Sequence, residues 1–306
     1  MSDGNLARFA WLSIAAAIAT LLLKLLAWRL TQSVGLLSDA LETFTNLGGA
    51  VMALFMLRLA AQPPDEGHAY GHSKAEYLSS LFEGALVLGA GVAILVAALP
   101  RLMNPRAIEQ PGIGLAVTAV ASAINFAVAR VLGSAGRKHH SIALEADSKH
   151  LMADVWTSAA VIAGVAVVAL SGWRVLDPLL AVAVSLHVFW AGFGLLRDSA
   201  QGLLDAAWPE DERRILEEVL AAHAGPKIAF HAVRTRRSAK RRFVSFHVLV
   251  PGSWSVQKGH DLLEVIEHAL SRRLPHVTAF THLEPIEDAA SYDDIELDRP
   301  DAGPGV

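Results

Sequence analysis

A six-helix membrane domain followed by a soluble C-terminal α+β domain (αββαβ, ferredoxin-like) is the fold class this sequence predicts. Three observations predict it. Only 18% of the 306 residues are Asp, Glu, Lys or Arg, against about 25% for an ordinary soluble domain. The deficit is local: residues 1–200 hold 26 of these charges and residues 201–306 hold 30. The charge-poor part breaks into apolar runs of roughly 20 residues, the length needed to cross about 30 Å of hydrocarbon. Composition also excludes classes of function. With no Cys there is no disulfide framework, thiol nucleophile or thiolate metal site. Net charge is zero over 1–200, +2 over 201–286 and −6 over 287–306, so no part is basic enough to point to nucleic acid.

The apolar runs cover approximately 8–30, 34–60, 79–100, 112–133, 142–171 and 175–197. Backbone groups in lipid must be satisfied within the segment, so each run is expected to be a helix. The first lacks a basic start and a small-residue cleavage site and reads as an anchor, not a signal peptide. Trp11, Trp28 and Trp173 fall near span ends, as an aromatic belt requires. With the N-terminus inside, seven basic residues (Arg8, Arg58, Lys74, Arg130, Arg137, Lys138, Arg197) flank the inner ends. Four (Arg29, Arg101, Arg106, Arg174) flank the outer ends. The excess places both termini in the cytoplasm.

Residues 208–286 change pattern. An amphipathic helix over 209–223 opens with acids, strands are expected over 230–235 and 243–250 around a basic turn, a second helix over 256–273 and a third strand over 277–285. The domains are therefore expected at 1–207 and 208–286, with an acidic, disordered tail over 287–306.

Ionisable side chains in lipid are costly and point to function. Span two reads Asp39-Ala40-Leu41-Glu42-Thr43-Phe44-Thr45-Asn46, and span five reads Asp147-Ser148-Lys149-His150-Leu151-Met152-Ala153-Asp154. In each, polar residues recur at i, i+3 and i+7 on one helical face. The two helices run in opposite directions, so their faces can meet deep in the membrane. Glu42, Asn46, His150 and Asp154 then offer an imidazole nitrogen, two carboxylates and an amide oxygen, a set suited to a divalent cation. Asp39 and Asp147 read as outer ligands or as capping or gating groups. Glu83, Asn125 and His187 each stand alone and read as local hydrogen-bonding groups, and Lys24 as a residue that snorkels to the interface.

Two further clusters lie outside the spans. After span two, Asp65, His68 and His72 have i, i+3, i+7 spacing in a turn-rich loop, a zinc-type ligand set. In the C-terminal domain His231, His247 and His282 fall one on each expected strand. Glu284 lies two residues after His282 on the same face.

The SDALETFTN segment, the RLAAQPPDEGHAYGHSKAEY loop, the ADSKHLMAD segment and the C-terminal RTRRS and THLEP stretches together resemble the cation diffusion facilitator family. The chain is most similar to the bacterial zinc/iron-efflux branch. The resemblance implies a homodimer of six-helix protomers in the bacterial inner membrane with a ferredoxin-like cytoplasmic domain, exchanging a divalent metal cation for protons. Zinc is the first cation implied, with Fe2+, Co2+, Ni2+ and Mn2+ as alternatives. The metal would act as both substrate and regulator. It places a transport site on Glu42, Asn46, His150 and Asp154, a loop site on Asp65, His68 and His72, and cytoplasmic interface sites on His231, His247, His260, His282 and Glu284. That branch has Asp where Glu42, Asn46 and Glu284 stand here, so the transport set carries −2 in place of −3. A membrane-anchored metal-sensing scaffold would need the soluble ligands but not the matched faces in spans two and five. A membrane metallohydrolase would need a motif such as H-E-x-x-H, which is absent.

Overall fold

The computed structural model describes residues 4–139, 142–293 and 295. Six long helices come first: α1 (Gly4–Thr31), α2 (Val34–Ala60), α3 (Ala75–Met103), α4 (Pro111–His139), α5 (Ile142–Ser171) and α6 (Leu176–Leu203). All six contain a stretch long and apolar enough to cross a membrane, and the elements of the C-terminal domain follow. The breaks between helices have local causes. Gln32 takes a left-handed φ of 54° and ends α1. Ser33 then caps α2, its Oγ accepting from the Leu36 N–H at 3.3 Å. Asp177 from the first turn of α6 adds its carboxylate to the same helix start, accepting from the Val34 N–H at 3.0 Å and from the Ser33 hydroxyl at 2.5 Å. A buried carboxylate at a helix N-terminus satisfies free N–H groups and complements the dipole. Gly172, at φ +66°, ends α5 where a side chain would be strained.

The first compact unit comprises residues 1–56 and 79–197, the second residues 57–78 and 198–306. In the first, α2 and α5 run antiparallel: Asp39 meets Ser158 and Asn46 meets Asp154. Elsewhere small residues let backbones approach, as membrane helices require in the absence of a hydrophobic driving force. A Cβ on Gly84 of α3 would sit 3.1 Å from the Gly192 carbonyl oxygen of α6.

In the second unit α7 (Glu210–His223), β1 (Ala229–Ser238), β2 (Arg241–Val250), α8 (Val256–Arg273) and β3 (Val277–Pro285) form a three-stranded sheet in the order β1-β2-β3. β1 and β2 are antiparallel. β2 and β3 are parallel and joined through α8, the crossover that a parallel pair requires. Alternation on β2 sends Val244, Phe246, Val248 and Val250 into a core with Leu216, Leu220, Ile266 and Leu270 from the two helices. The opposite face carries His247.

The strands run longer than expected. The basic turn extends the ladder through Arg237↔Arg242 and Ser238↔Arg241. Like charges directly opposite destabilise a pair, but Glu212 of α7 lies between them. It accepts from Arg242 Nε at 3.0 Å and Nη2 at 2.7 Å, and from Arg237. The Arg242 guanidinium, then Arg237, against partial desolvation, hold the Glu212 carboxyl below its ordinary value of 4.5. A depressed carboxyl stabilises the fold above its unfolded-state value, and that contribution is lost as pH falls through the folded one. Glu212→Gln is expected to cost about 2 kcal/mol and to speed hydrogen exchange in the 236–243 hairpin at pH 7. In the parent chain the same hairpin is expected to loosen only below pH 4.5. Unchanged exchange in the variant would contradict this role.

The tail expected to be disordered from residue 287 instead folds at first. Residues Ala289–Tyr292 form a 3-10 turn capped by Asp288, and Ser291 within it is buried. Residues 294 and 296–306 lie outside the described residues.

Candidate metal sites

The matched faces of α2 and α5 meet through one direct contact. Asn46 Nδ2 donates to Asp154 Oδ1 at 3.1 Å, near the middle of both helices. Around it lie two cavities. One, of about 80 Å3, is lined by Asn46, Asp147, His150 and Asp154 together with Thr20 of α1 and Asn125 of α4. The other, of about 410 Å3, is lined by Glu42, Ser38, Thr157, Asp177 and His187. The first contains the α5 residues before Asp154, the second those after it. The four expected ligands are therefore not gathered into one tight set. Among the described residues, Glu42, His150 and Asp154 do not bring one ligand atom each within 4.8 Å of one another. Helical spacing puts Glu42 and Asn46 on one face, but it does not decide which side of the α2–α5 contact each one opens onto.

Two residues read as incidental behave otherwise. Lys24 does not snorkel. It is 1% exposed, and its Nζ donates to Asp39 Oδ1 at 2.8 Å and to Thr43 Oγ1 at 2.9 Å. Ser158 Oγ donates to the same Asp39 oxygen at 2.8 Å. Asp39 is thus the anion of a buried ion pair between α1 and α2. Asn125 is buried on the smaller cavity with its Oδ1 lacking a hydrogen-bond partner. A lone amide in an apolar span was the available signal, and sequence spacing gave it no companion.

The loop cluster assembles as expected. Asp65 Oδ1 lies 3.1 Å from His68 Nδ1, Asp65 Oδ2 lies 3.3 Å from His72 Nε2, and the two imidazoles approach to 3.1 Å. The loop holds this shape because Asp65 Oδ1 also accepts from the His68 backbone N–H at 2.6 Å, a local side-chain-to-backbone bond three residues on. Slight desolvation pushes the Asp65 carboxyl up, but the His68 hydrogen bonds and both imidazoles outweigh it and hold it below its ordinary value of 3.8. The group is an anion at neutral pH, ready for a cation.

On the sheet, register does what spacing alone could only outline. His231 pairs with His247, and His247 with His282, so the three imidazoles form one row across the strands. Glu284, with its side chain 6% exposed, reaches back along β3. Its Oε2 is 2.7 Å from His231 Nε2, and its Oε1 is 3.1 Å from His247 Nδ1 and 3.6 Å from His282 Nδ1. His231, His247 and Glu284 have the closeness a metal ion needs, while His282 stands at the exposed rim. His260 does not belong to this group within the chain. It lies on the outer face of α8, 3.9 Å from Glu264. Its place on a helix, while the others sit on the sheet, separates it.

Six helices long and apolar enough to cross a membrane, with ligand-type side chains near the middle of α2 and α5, joined to an α+β domain carrying its own ligand cluster, define a multi-pass membrane protein that handles a metal cation. Residues 10–204 match the model of the cation efflux transmembrane domain, and residues 208–286 match that of the cation efflux protein cytoplasmic domain. The chain belongs to the cation efflux, or cation diffusion facilitator, family, which comprises transporters and not enzymes. It is 46% identical to an uncharacterised transporter of Synechocystis sp. over 93% of this chain and 92% of that one. It is 31% identical to the cation-efflux pump FieF of Yersinia pestis over 90% of this chain and 93% of that one. The metal-bound C-terminal domain of the CzcD transporter from Thermotoga maritima is 26% identical over 26% of this chain and 92% of that one, with a TM-score of 0.24.

Proposed function

We propose that this chain is a secondary active exporter of a divalent transition-metal cation, exchanging it for protons by alternating access as a homodimer in the bacterial inner membrane. Zinc is the first cation in this reading, ahead of Fe2+, Co2+, Ni2+ and Mn2+. Both termini are cytoplasmic, residues 1–207 carry the transport path and residues 208–286 the cytoplasmic metal-binding and dimerisation domain. The observation that carries the reading is the Asn46–Asp154 contact at mid-helix between two cavities, one bearing His150 and the other Glu42. A carrier needs one layer of ligands approached from two sides, with the affinity differing between the two states.

Glu42, Asn46, His150 and Asp154 are the transport ligands in this account. Two carboxylates neutralise a divalent ion in a medium that disfavours net charge. Imidazole and carboxylate must be deprotonated to bind metal, so loading releases protons and unloading takes them up. Asp65, His68 and His72 form a second site. His231, His247, His282 and Glu284 form a cytoplasmic one, at which metal regulates the carrier.

A panel of the five cations, each offered to proteoliposomes enclosing a metal-sensitive dye, tests the reading. Saturable uptake of at least one of them above protein-free vesicles is expected, with zinc among those carried. Uptake equal to that of empty vesicles for every ion would leave a binding scaffold as the better account.

A further inference from the structure

The buried ion pair beside the transport ligands has no part in the scheme above. Lys24 of α1, Asp39 and Thr43 of α2 and Ser158 of α5 converge with every one of the four at most 3% exposed. Three hydrogen bonds of 2.8 to 2.9 Å hold the Lys24 ammonium and one Asp39 oxygen, while the second oxygen, Oδ2, is buried with no hydrogen-bond partner. Burying two charges costs desolvation that their attraction barely returns, so such a pair is a poor source of stability. In a membrane span it points to function.

Its position says which function. Asp39 is one helical turn before Glu42, Thr43 adjoins Glu42, and Ser158 is one turn after Asp154. Neighbours one turn apart are about 5–6 Å from each other. The Asp39 carboxylate is at that range from Glu42, Ser158 links it to the turn beyond Asp154, and Lys24 and Asp39 each act electrostatically on Glu42 and Asp154.

We propose that Lys24 and Asp39 are a charge-balancing pair that fixes the field of the transport site at the −2 of Glu42 and Asp154, matching it to a divalent cation. The inference rests on the reading of those residues as transport ligands. Lys24 and Asp39 are positioning residues in this account and do not touch the cation. The signs follow. Without the ammonium, Asp39 is an unpaired third anion, and the cation binds more tightly and leaves more slowly. Without the carboxylate, the ammonium faces the site uncompensated, and the cation binds more weakly. With both neutral, the site returns to −2.

The test is zinc binding and zinc flux by full-length protein, purified and reconstituted, for Lys24→Met, Asp39→Asn, the double variant and Asp154→Ala. Lys24→Met is expected to lower KM and the maximal rate together, and Asp39→Asn to raise KM, each by about tenfold, which corresponds to ~1.4 kcal/mol. The double variant is expected to recover a KM within about threefold of the parent. A pair that only held the helices together would shift both single variants the same way and leave the double no better than either, which overturns the proposal. Where a single variant does not yield folded protein, the double decides alone, since a tenfold loss of affinity there also overturns it. If Asp154→Ala carries zinc like the parent, the site assignment fails first. If it loses zinc flux while the double variant resembles Asp39→Asn, only the charge-balance proposal fails.

Discussion

Asp154→Ala is expected to reduce metal flux by about two orders of magnitude, the rate equivalent of losing ~2.7 kcal/mol of binding at the bottleneck of transport. Asp154 is the residue on which the geometry converges. It touches Asn46 across the α2–α5 contact at 3.1 Å and lines the cavity that His150 enters. Its loss leaves Glu42 as the one carboxylate of the transport set and takes the set from −2 to −1, so a divalent ion in a low-dielectric site keeps an uncompensated charge. His150→Ala is expected to be nearly as severe, because it removes the nitrogen ligand and the group best suited to exchange a proton near neutral pH. Both variants should remain folded, since removing the polar head of either side chain disturbs no apolar packing. Flux unchanged in both, measured at equal protein in vesicles, would contradict the assignment.

Glu284→Ala is expected to abolish high-affinity binding at the cytoplasmic cluster, by about a hundredfold at neutral pH. Glu284 is the hub of that cluster: one buried carboxylate within 3.6 Å of three imidazoles. Without it the imidazoles of His231 and His247 remain with no anion to offset the metal charge. Equilibrium dialysis against zinc with the full chain separates this loss from the loop site, which His68→Ala and His72→Ala remove independently. Transport by Glu284→Ala should persist, with its dependence on cytoplasmic metal weakened, since the two sites communicate only through the affinity each has for the states of the carrier. Retained binding would place the cytoplasmic site elsewhere.

Much of this is legible in the sequence. Six apolar runs gave six helices because length and backbone satisfaction leave lipid-facing chain no other form. The i, i+3, i+7 faces of α2 and α5 point toward each other, though of the four residues they carry only Asn46 and Asp154 are in direct contact, and one histidine on each of three strands lets adjacent strands bring His231, His247 and His282 into one row. What escaped was pairing between elements. A lone Lys24 in a span resembles a snorkelling residue until α2 supplies Asp39. Glu42 shares a face with Asn46, yet the depth at which α5 crosses decides which cavity each enters. His260, which the resemblance assigns to the interface sites, lies exposed on α8 beside Glu264 and apart from the strand cluster of this chain. The basic turn hid the ends of β1 and β2, because it takes Glu212 of α7 to make the opposed arginines tolerable.

The central claim is exchange of metal for protons at the α2–α5 layer. Vesicles carrying a pH indicator inside, at equal pH on both sides, test it most directly when zinc is added outside. The account predicts that zinc entry drives protons outward and raises the internal pH, in proportion to the zinc taken up and not at all in Asp154→Ala. Zinc entry in the parent protein with no change in internal pH would contradict it.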